Sequence, residues 1–303
     1  MDQFDQLFDQ LKNCCPDMEL LKQEPMARHT TFRIGGPADL MARPATEEQV
    51  LACVKLARES QIPLVVLGNG SNLLVADEGV QAFVLDMTGL NRLERTGERE
   101  ITAGAGVTLA RLASFAAGEG LTGLEFAGGI PGTLGGAVMM NAGAYGGEMV
   151  QVVRRTRYLT PEGTVKEIVG EEHDFSYRHS VFSQGEDVIL SSVLELEPGQ
   201  EEKIRAQMAE LAQKRKSKQP LEYPSAGSMF KRPQGYFAAA LIDQCGLKGF
   251  TVGGAQVSEK HAGFVINRGG ATCADVLALV KEVQRRVREQ TGVELEMEVR
   301  RLG

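Results

Sequence analysis

Eight of the twenty residues from 128 to 147 are glycine: Gly128, Gly129, Gly132, Gly135, Gly136, Gly143, Gly146 and Gly147. Glycine loses more backbone freedom on folding than any other residue, so such a density is costly in an ordinary helix or strand. The residues between are small or apolar (Ile130, Leu134, Ala137, Val138, Met139, Met140), unlike the serine-rich and polar composition of a flexible linker. Backbone N–H groups laid bare by glycine make anion-binding concavities. Apolar residues among them suit a flat aromatic ring. A large phosphate-bearing cofactor is the expected occupant; a glycine-rich corner of a β-domain is the plain alternative. Two shorter segments point the same way with less force. Gly68-Asn-Gly-Ser-Asn72, followed by Leu73, half-matches a dinucleotide-binding fingerprint but lacks its third glycine. Gly104-Ala-Gly106 half-matches it again, ahead of a helical pattern. No phosphate-binding G-x-x-x-x-G-K-[ST] occurs.

The rest of the chain must position these loops. A length of 303 residues suggests about two domains. The net charge of -7 argues against nucleic acid and anionic membranes as main partners. No apolar run approaches the roughly 20 residues that span a bilayer. The acidic start, Met1-Asp-Gln-Phe-Asp5, is unlike a secretory signal. Five cysteines without a C-x-x-C pair, and four scattered histidines, suit a reducing cytoplasm and predict no metal site.

Phe4, Leu7, Phe8 and Leu11 predict an amphipathic first helix. A strand is expected over 30–37, and a helix after the capping box Thr46-x-x-Gln49, with Val50, Val54 and Ala57 inward. Pro63-Leu-Val-Val-Leu67 reads as a buried strand. A hairpin is expected over 152–169, and further strands at 174–182 and 187–197. Pro198-Gly199 marks the expected domain boundary. Beyond it come a charged helix ending in Lys214-Arg-Lys-Ser-Lys218, helices near 237–245 and 276–291, and a final alternating strand, 293–300. The basic helix end is explained by the helix dipole. The strands are not spaced as a regular βαβ alternation, which disfavours a doubly wound fold.

Six motifs, in order along the chain, resemble the UDP-N-acetylenolpyruvoylglucosamine reductase family. They are Gly68-Asn-Gly-Ser-Asn72, Gly129-Ile-Pro-Gly-Thr-Leu-Gly-Gly136, Asn141-Ala-Gly-Ala-Tyr-Gly146, Tyr177-Arg178, Ser225-Ala-Gly-Ser-Met-Phe-Lys231 and Glu298-Val-Arg300. The spacing from Arg178 to Ser228 leaves no room for the tyrosine-bearing insertion of longer members, so the resemblance is to the shorter type. It implies an α+β protein: a segment 1–32 packing on an FAD-binding domain of the vanillyl-alcohol-oxidase type (33–200), then a smaller α/β substrate-binding domain (201–303). It implies FAD contacts from Asn69, Gly70, Ser71, Asn72 and Leu73, and from Gly128, Gly129, Ile130, Pro131, Gly132, Thr133, Gly135, Gly136, Ala137, Asn141, Gly143 and Ala144. Oxidases of this fold often attach FAD through a histidine in the first glycine loop. That loop has none here, so FAD is expected to be held without a covalent bond.

The reaction implied has two halves. NADPH reduces the flavin, which then passes hydride to the vinyl carbon of an enolpyruvyl sugar nucleotide, completing UDP-N-acetylmuramate for peptidoglycan. Wall synthesis connects such an enzyme to cell shape, division and the cell cycle, as a cytoplasmic monomer acting on small molecules. The second half needs hydrogen-bonding and cationic stabilisation of the substrate carboxylate and one proton donor. By the resemblance these fall to Arg178, Ser228 and Glu298, with Tyr177, Lys218 and Arg300 as further substrate contacts; Arg232 is left without a role. Taken by themselves, Arg178 reads as a strand arginine, Ser228 as a turn residue, and Glu298 as one of a solvent-facing row with Glu294 and Glu296. Two other functions compete: a sugar or alcohol oxidase of the same fold, and a non-catalytic nucleotide-binding protein.

Overall fold

The computed structural model describes residues 2–303, an α+β protein whose two compact units interleave along the chain. The first takes the chain up to Lys22, then Leu40–Asn69 and Ala82–Gln213; the second takes Gln23–Asp39, Gly70–Gln81 and Lys214–Gly303. The division expected from sequence was consecutive, broken at Pro198-Gly199. Interleaving depends on contacts between distant segments, which local composition does not record.

In the first unit, helix α1 (Gln3–Cys14) buries Leu7 and Leu11 completely and packs Phe4 and Phe8 at the core margin. Its N-cap Asp2 accepts a bond from the Asp5 amide, satisfying one of the orphan donors of the first turn. Helix α2 (Glu47–Glu59) begins as predicted: Thr46 accepts from the Gln49 amide, and Val50, Val54 and Ala57 turn inward. The Gln49 side chain accepts from Ala45. Helices α3 (Leu109–Gly118) and α4 (Leu134–Met139) follow, and α5 (Glu201–Lys218) belongs to this unit as far as Gln213. A five-stranded antiparallel sheet has the lateral order Val165–Val169, Val153–Leu159, Val188–Glu195, Glu100–Gly104, Leu93–Arg95. The expected hairpin is its first two strands. Leu109, Leu112, Leu134 and Val138 share one core with this sheet's Ile101 and Leu190. Elsewhere in this unit Leu64–Leu67 pairs in parallel with residues 83–86.

The second unit has its own core, gathering Phe32, Leu241, Val276, Val280, Val283 and Val287. An antiparallel sheet in the order Ser225–Ser228, Phe264–Asn267, Ala255–Val257, Thr251–Val252 carries helices α6 (Ala238–Gln244) and α7 (Cys273–Thr291). Thr272 and Asp275 close a capping box on α7, and the Asp77 carboxylate accepts from the Cys273 and Ala274 amides at 2.7 and 3.0 Å. Gly292 ends α7 in the left-handed conformation, where the helix expected near 276–291 stops. Strand Arg300–Leu302 lies parallel to Leu73–Val75.

Four expectations are corrected. Residues 30–36 form no strand, because Arg33 and Gly35 take positive φ; the strand is Pro37–Arg43. Residues 174–182 are a succession of turns. The last strand is Arg300–Leu302, and 293–299 runs alongside with one isolated bridge at Met297. In Leu64–Leu67 only Leu67 is buried, and Val66 is 38% exposed.

Candidate active site

In the first unit three glycine-bearing segments converge. Asn69 is exposed, and its Nδ2 donates to the Pro131 carbonyl at 2.6 Å. Gly68 lies so close to Thr133 that a Cβ there would stand 2.3 Å from Oγ1. The segment at 104–107 packs on the same stretch: Leu134 donates to Val107 O at 2.8 Å and Gly135 to Ala105 O at 2.9 Å. The Gly135 amide, in the stretch expected to hold the cofactor, is therefore used within the protein. Gly147 is glycine for packing, since a Cβ would meet the Phe126 ring at 2.4 Å. Of the expected FAD contacts, Gly129, Pro131 and Gly136 are exposed, and a Cβ at Gly136 would find nothing nearer than 3.9 Å. Gly128, Ile130, Gly132, Gly143 and Ala144 are partly exposed, whereas Thr133, Ala137 and Asn141 are buried. Exposed backbone beside buried apolar residues fits a flavin nucleotide.

Asn141 turns its side chain inward. It is 2% exposed, and its Nδ2 donates to Glu148 Oε2 and Ser176 O at 3.0 and 3.2 Å while its Oδ1 accepts from Val150 N at 3.0 Å. Its side chain is thus bonded within the protein.

Arg178 is half-buried in a tight turn, Ser176 to His179, closed by two backbone bonds of 3.1 and 3.2 Å. Its φ is +56°, a conformation rare for residues other than glycine. Its guanidinium lies 5.1 Å from the centroid of the Tyr177 ring, which is 52% exposed. The strand arginine of the sequence reading is a turn arginine.

The second unit brings Ser228 and Glu298 together. Ser228 ends the strand Ser225–Ser228, whose pairing with Phe264–Asn267 is irregular at Gly227, where φ is +78°. Glu298 donates its amide to Met229 O at 2.9 Å, beside the bridge between Phe230 and Met297. Asn72 Nδ2 donates to Glu298 O at 3.1 Å, and Arg300 N to Asn72 O at 3.0 Å. The second half of the first glycine loop therefore braces the segment that carries Glu298, just ahead of the last strand. Gly70 permits this at φ +57°, with its would-be Cβ 2.1 Å from His29 O. His29 reaches the loop through its backbone; its Nε2 pairs with Glu24 Oε1 at 3.0 Å.

Glu298 also separates from its neighbours. Glu294 and Glu296 are exposed and pair with Arg288 and Lys231, whereas Glu298 is half-buried. Arg300 is exposed in its strand. Lys218 is exposed in the last turn of α5, with no hydrogen bond or ion pair to Ser228 or Glu298 among the described residues. Sequence reasoning missed the bracing roles of Asn72 and Asn141, which no spacing signals. Among the described residues no group of three His, Cys, Asp or Glu side chains could hold a metal ion, and no helix is long and apolar enough to cross a membrane.

Residues 219–302 match the family described as UDP-N-acetylenolpyruvoylglucosamine reductase, C-terminal domain, and residues 38–169 match the FAD binding domain family. The chain is 50% identical over 300 residues to the UDP-N-acetylenolpyruvoylglucosamine reductase of Agathobacter rectalis, covering 95% of each chain. It is 47% identical to that of Caldanaerobacter subterraneus, covering 98% of each. The crystal structure of the Thermus caldophilus enzyme of that name superposes with a TM-score of 0.80 at 37% identity, over 94% of this chain and 99% of the other. An alkyldihydroxyacetonephosphate synthase, 19% identical with a TM-score of 0.50, shares the fold over 65% of this chain and 44% of its own.

Proposed function

This chain belongs to the UDP-N-acetylenolpyruvoylglucosamine reductase family, FAD-domain oxidoreductases of peptidoglycan precursor synthesis, and on that premise we propose how its residues carry the reaction. The substrate is UDP-N-acetyl-3-O-(1-carboxyvinyl)glucosamine and the product UDP-N-acetylmuramate, with NADPH as the hydride source. FAD, when bound, supplies a ring that accepts hydride from one substrate and yields it to the other. Asn69, the exposed backbone around Gly129, Pro131 and Gly136, and the 70–73 loop hold it without a covalent bond.

Arg178 grips the substrate carboxylate. Its planar fork can bond both oxygens, which a lysine cannot do. Hydride arrives at the terminal vinyl carbon, and negative charge moves onto the neighbouring carbon and its carboxylate. Ser228 Oγ delivers the proton to that neighbouring carbon. Glu298 is the second polar group at this end, and Tyr177, Lys218 and Arg300 contact the rest of the sugar nucleotide. In functional terms 33–200 is the flavin module, 201–303 the substrate module and 1–32 a segment packing on the first. Five unpaired cysteines support a reducing, cytoplasmic setting, where the enzyme acts as a monomer. Its product links it to cell shape, division and the cell cycle.

One observation carries this reading. Of three glutamates alternating along 294–298, only Glu298 is drawn out of solvent, and its backbone is bonded to the residue after Ser228. The test is NADPH oxidation under anaerobic conditions. Turnover is expected with the enolpyruvyl sugar nucleotide and none without it. Turnover of a sugar or alcohol with rapid oxygen consumption would replace this reading with an oxidase.

A further inference from the structure

The Arg178 turn is held at both ends by the C-terminal end of α4. Before the turn, Asn141 Nδ2 donates to Ser176 O, which also accepts from the His179 amide. After it, Ser180 Oγ and Ser183 Oγ both donate to Met139 O at 2.8 Å. Carbonyls in the last turn of a helix have no partner within the helix, so Met139 O is available for two hydroxyls. Ser180 is fully buried and Asn141 nearly so. Asn141 itself takes φ +42°, which asparagine tolerates better than most residues. Its remaining bonds, to Glu148 and Val150, anchor it to the chain following Gly147.

We propose that Asn141 is a positioning residue for Arg178: with Ser180 and Ser183 it clamps the strained 176–179 turn to the end of α4 and so sets the guanidinium for the carboxylate. Arg178 at positive φ would relax toward the ordinary right-handed region if the turn were free. Two bonds accepted by the last residue of α4 and one donated by Asn141, two residues beyond it, oppose that relaxation. The clamp also ties the arginine to the same glycine-rich stretch that holds the cofactor. This inference rests on the role given to Arg178 above.

The test uses Asn141→Gly, which deletes the side chain and removes the backbone strain at that position. Hydrogen exchange over 174–183 should quicken about tenfold or more, as a clamped turn becomes locally open. Reoxidation of the reduced enzyme by the enolpyruvyl substrate should slow about 10- to 100-fold, the scale expected for roughly 1 Å of misplacement. Flavin reduction by NADPH and FAD content should stay near wild type. The double variant Asn141→Gly/Arg178→Lys should be little slower than Arg178→Lys alone, because the two act through one group. Unchanged exchange, or equal slowing of both half-reactions, would overturn the clamp. Quickened exchange with an Arg178→Lys enzyme of normal reoxidation would leave the clamp standing and sink the assignment of Arg178. If Asn141→Gly does not fold, Ser180→Ala/Ser183→Ala opens the clamp from its other side and is read by the same measurements.

Discussion

Glu298→Gln, set against Glu296→Gln, separates a functional glutamate from a solvent-facing one two residues away. Both changes keep shape and remove one charge. Glu296 pairs with Lys231, with side chains 72% and 41% exposed, and exposed pairs of this kind contribute about 0–1 kcal/mol. Its loss should shift the melting temperature by no more than about 2–4 °C and leave turnover unchanged. Glu298 is held by backbone bonds, its amide to Met229 O and its carbonyl from Asn72, and glutamine preserves both. The variant should therefore fold, and its melting temperature is read beside the kinetics so that a loss of fold is not taken for a loss of activity. A general acid–base or charge-stabilising group contributes about 10²–10⁴-fold, or roughly 3–5 kcal/mol of barrier at 1.36 kcal/mol per decade. Stopped-flow measurement should place this loss in reoxidation by the enolpyruvyl substrate, with flavin reduction unaffected. Equal turnover in the two variants would return Glu298 to the solvent-facing row and refute the reasoning.

Three further outcomes are expected. Ser228→Ala should slow reoxidation by about 10²–10⁴-fold while flavin reduction and thermal stability stay close to wild type, since Ser228 is exposed; a parallel loss in both half-reactions would make it a structural residue. Acid precipitation should release yellow flavin into the supernatant, and flavin retained in the pellet would contradict non-covalent binding. His173 is buried between Gly170 O and Thr156 Oγ1, and burial pushes its pKa below the ordinary value. Below about pH 6.5 the unfolded chain binds a proton that the folded one resists, so stability is full above that pH and declines as pH falls through the interval. Urea midpoints at pH 7.5 and 5.5 should differ less in His173→Gln than in wild type, and an identical difference would remove His173 as the cause.

Local signals determined much of this protein. The Phe4 to Leu11 periodicity, the Thr46 cap, the 152–169 hairpin and the Gly292 helix end are each set within a few residues by propensity, capping and turn chemistry, and each appears in the structure. Motif order along the chain was enough to indicate the family. The tertiary structure alone decided what those signals could not hold. Residues 174–182 read as a strand, yet among the described residues no neighbouring strand pairs with them, and bonds from Ser180 and Ser183 to Met139 O and from Asn141 to Ser176 O hold them in turns. Asn72 and Asn141 sit in motifs that suggest cofactor contacts, but their side chains are used to brace Glu298 and the Arg178 turn. By alternation alone Glu294, Glu296 and Glu298 are indistinguishable, and only the motif marks the last of them. What sets Glu298 apart is Asn72, which bonds the Glu298 carbonyl and the Arg300 amide, a contact between residues more than two hundred positions apart. Burial is a property of such long-range contacts, and a local pattern of alternating residues contains no record of them.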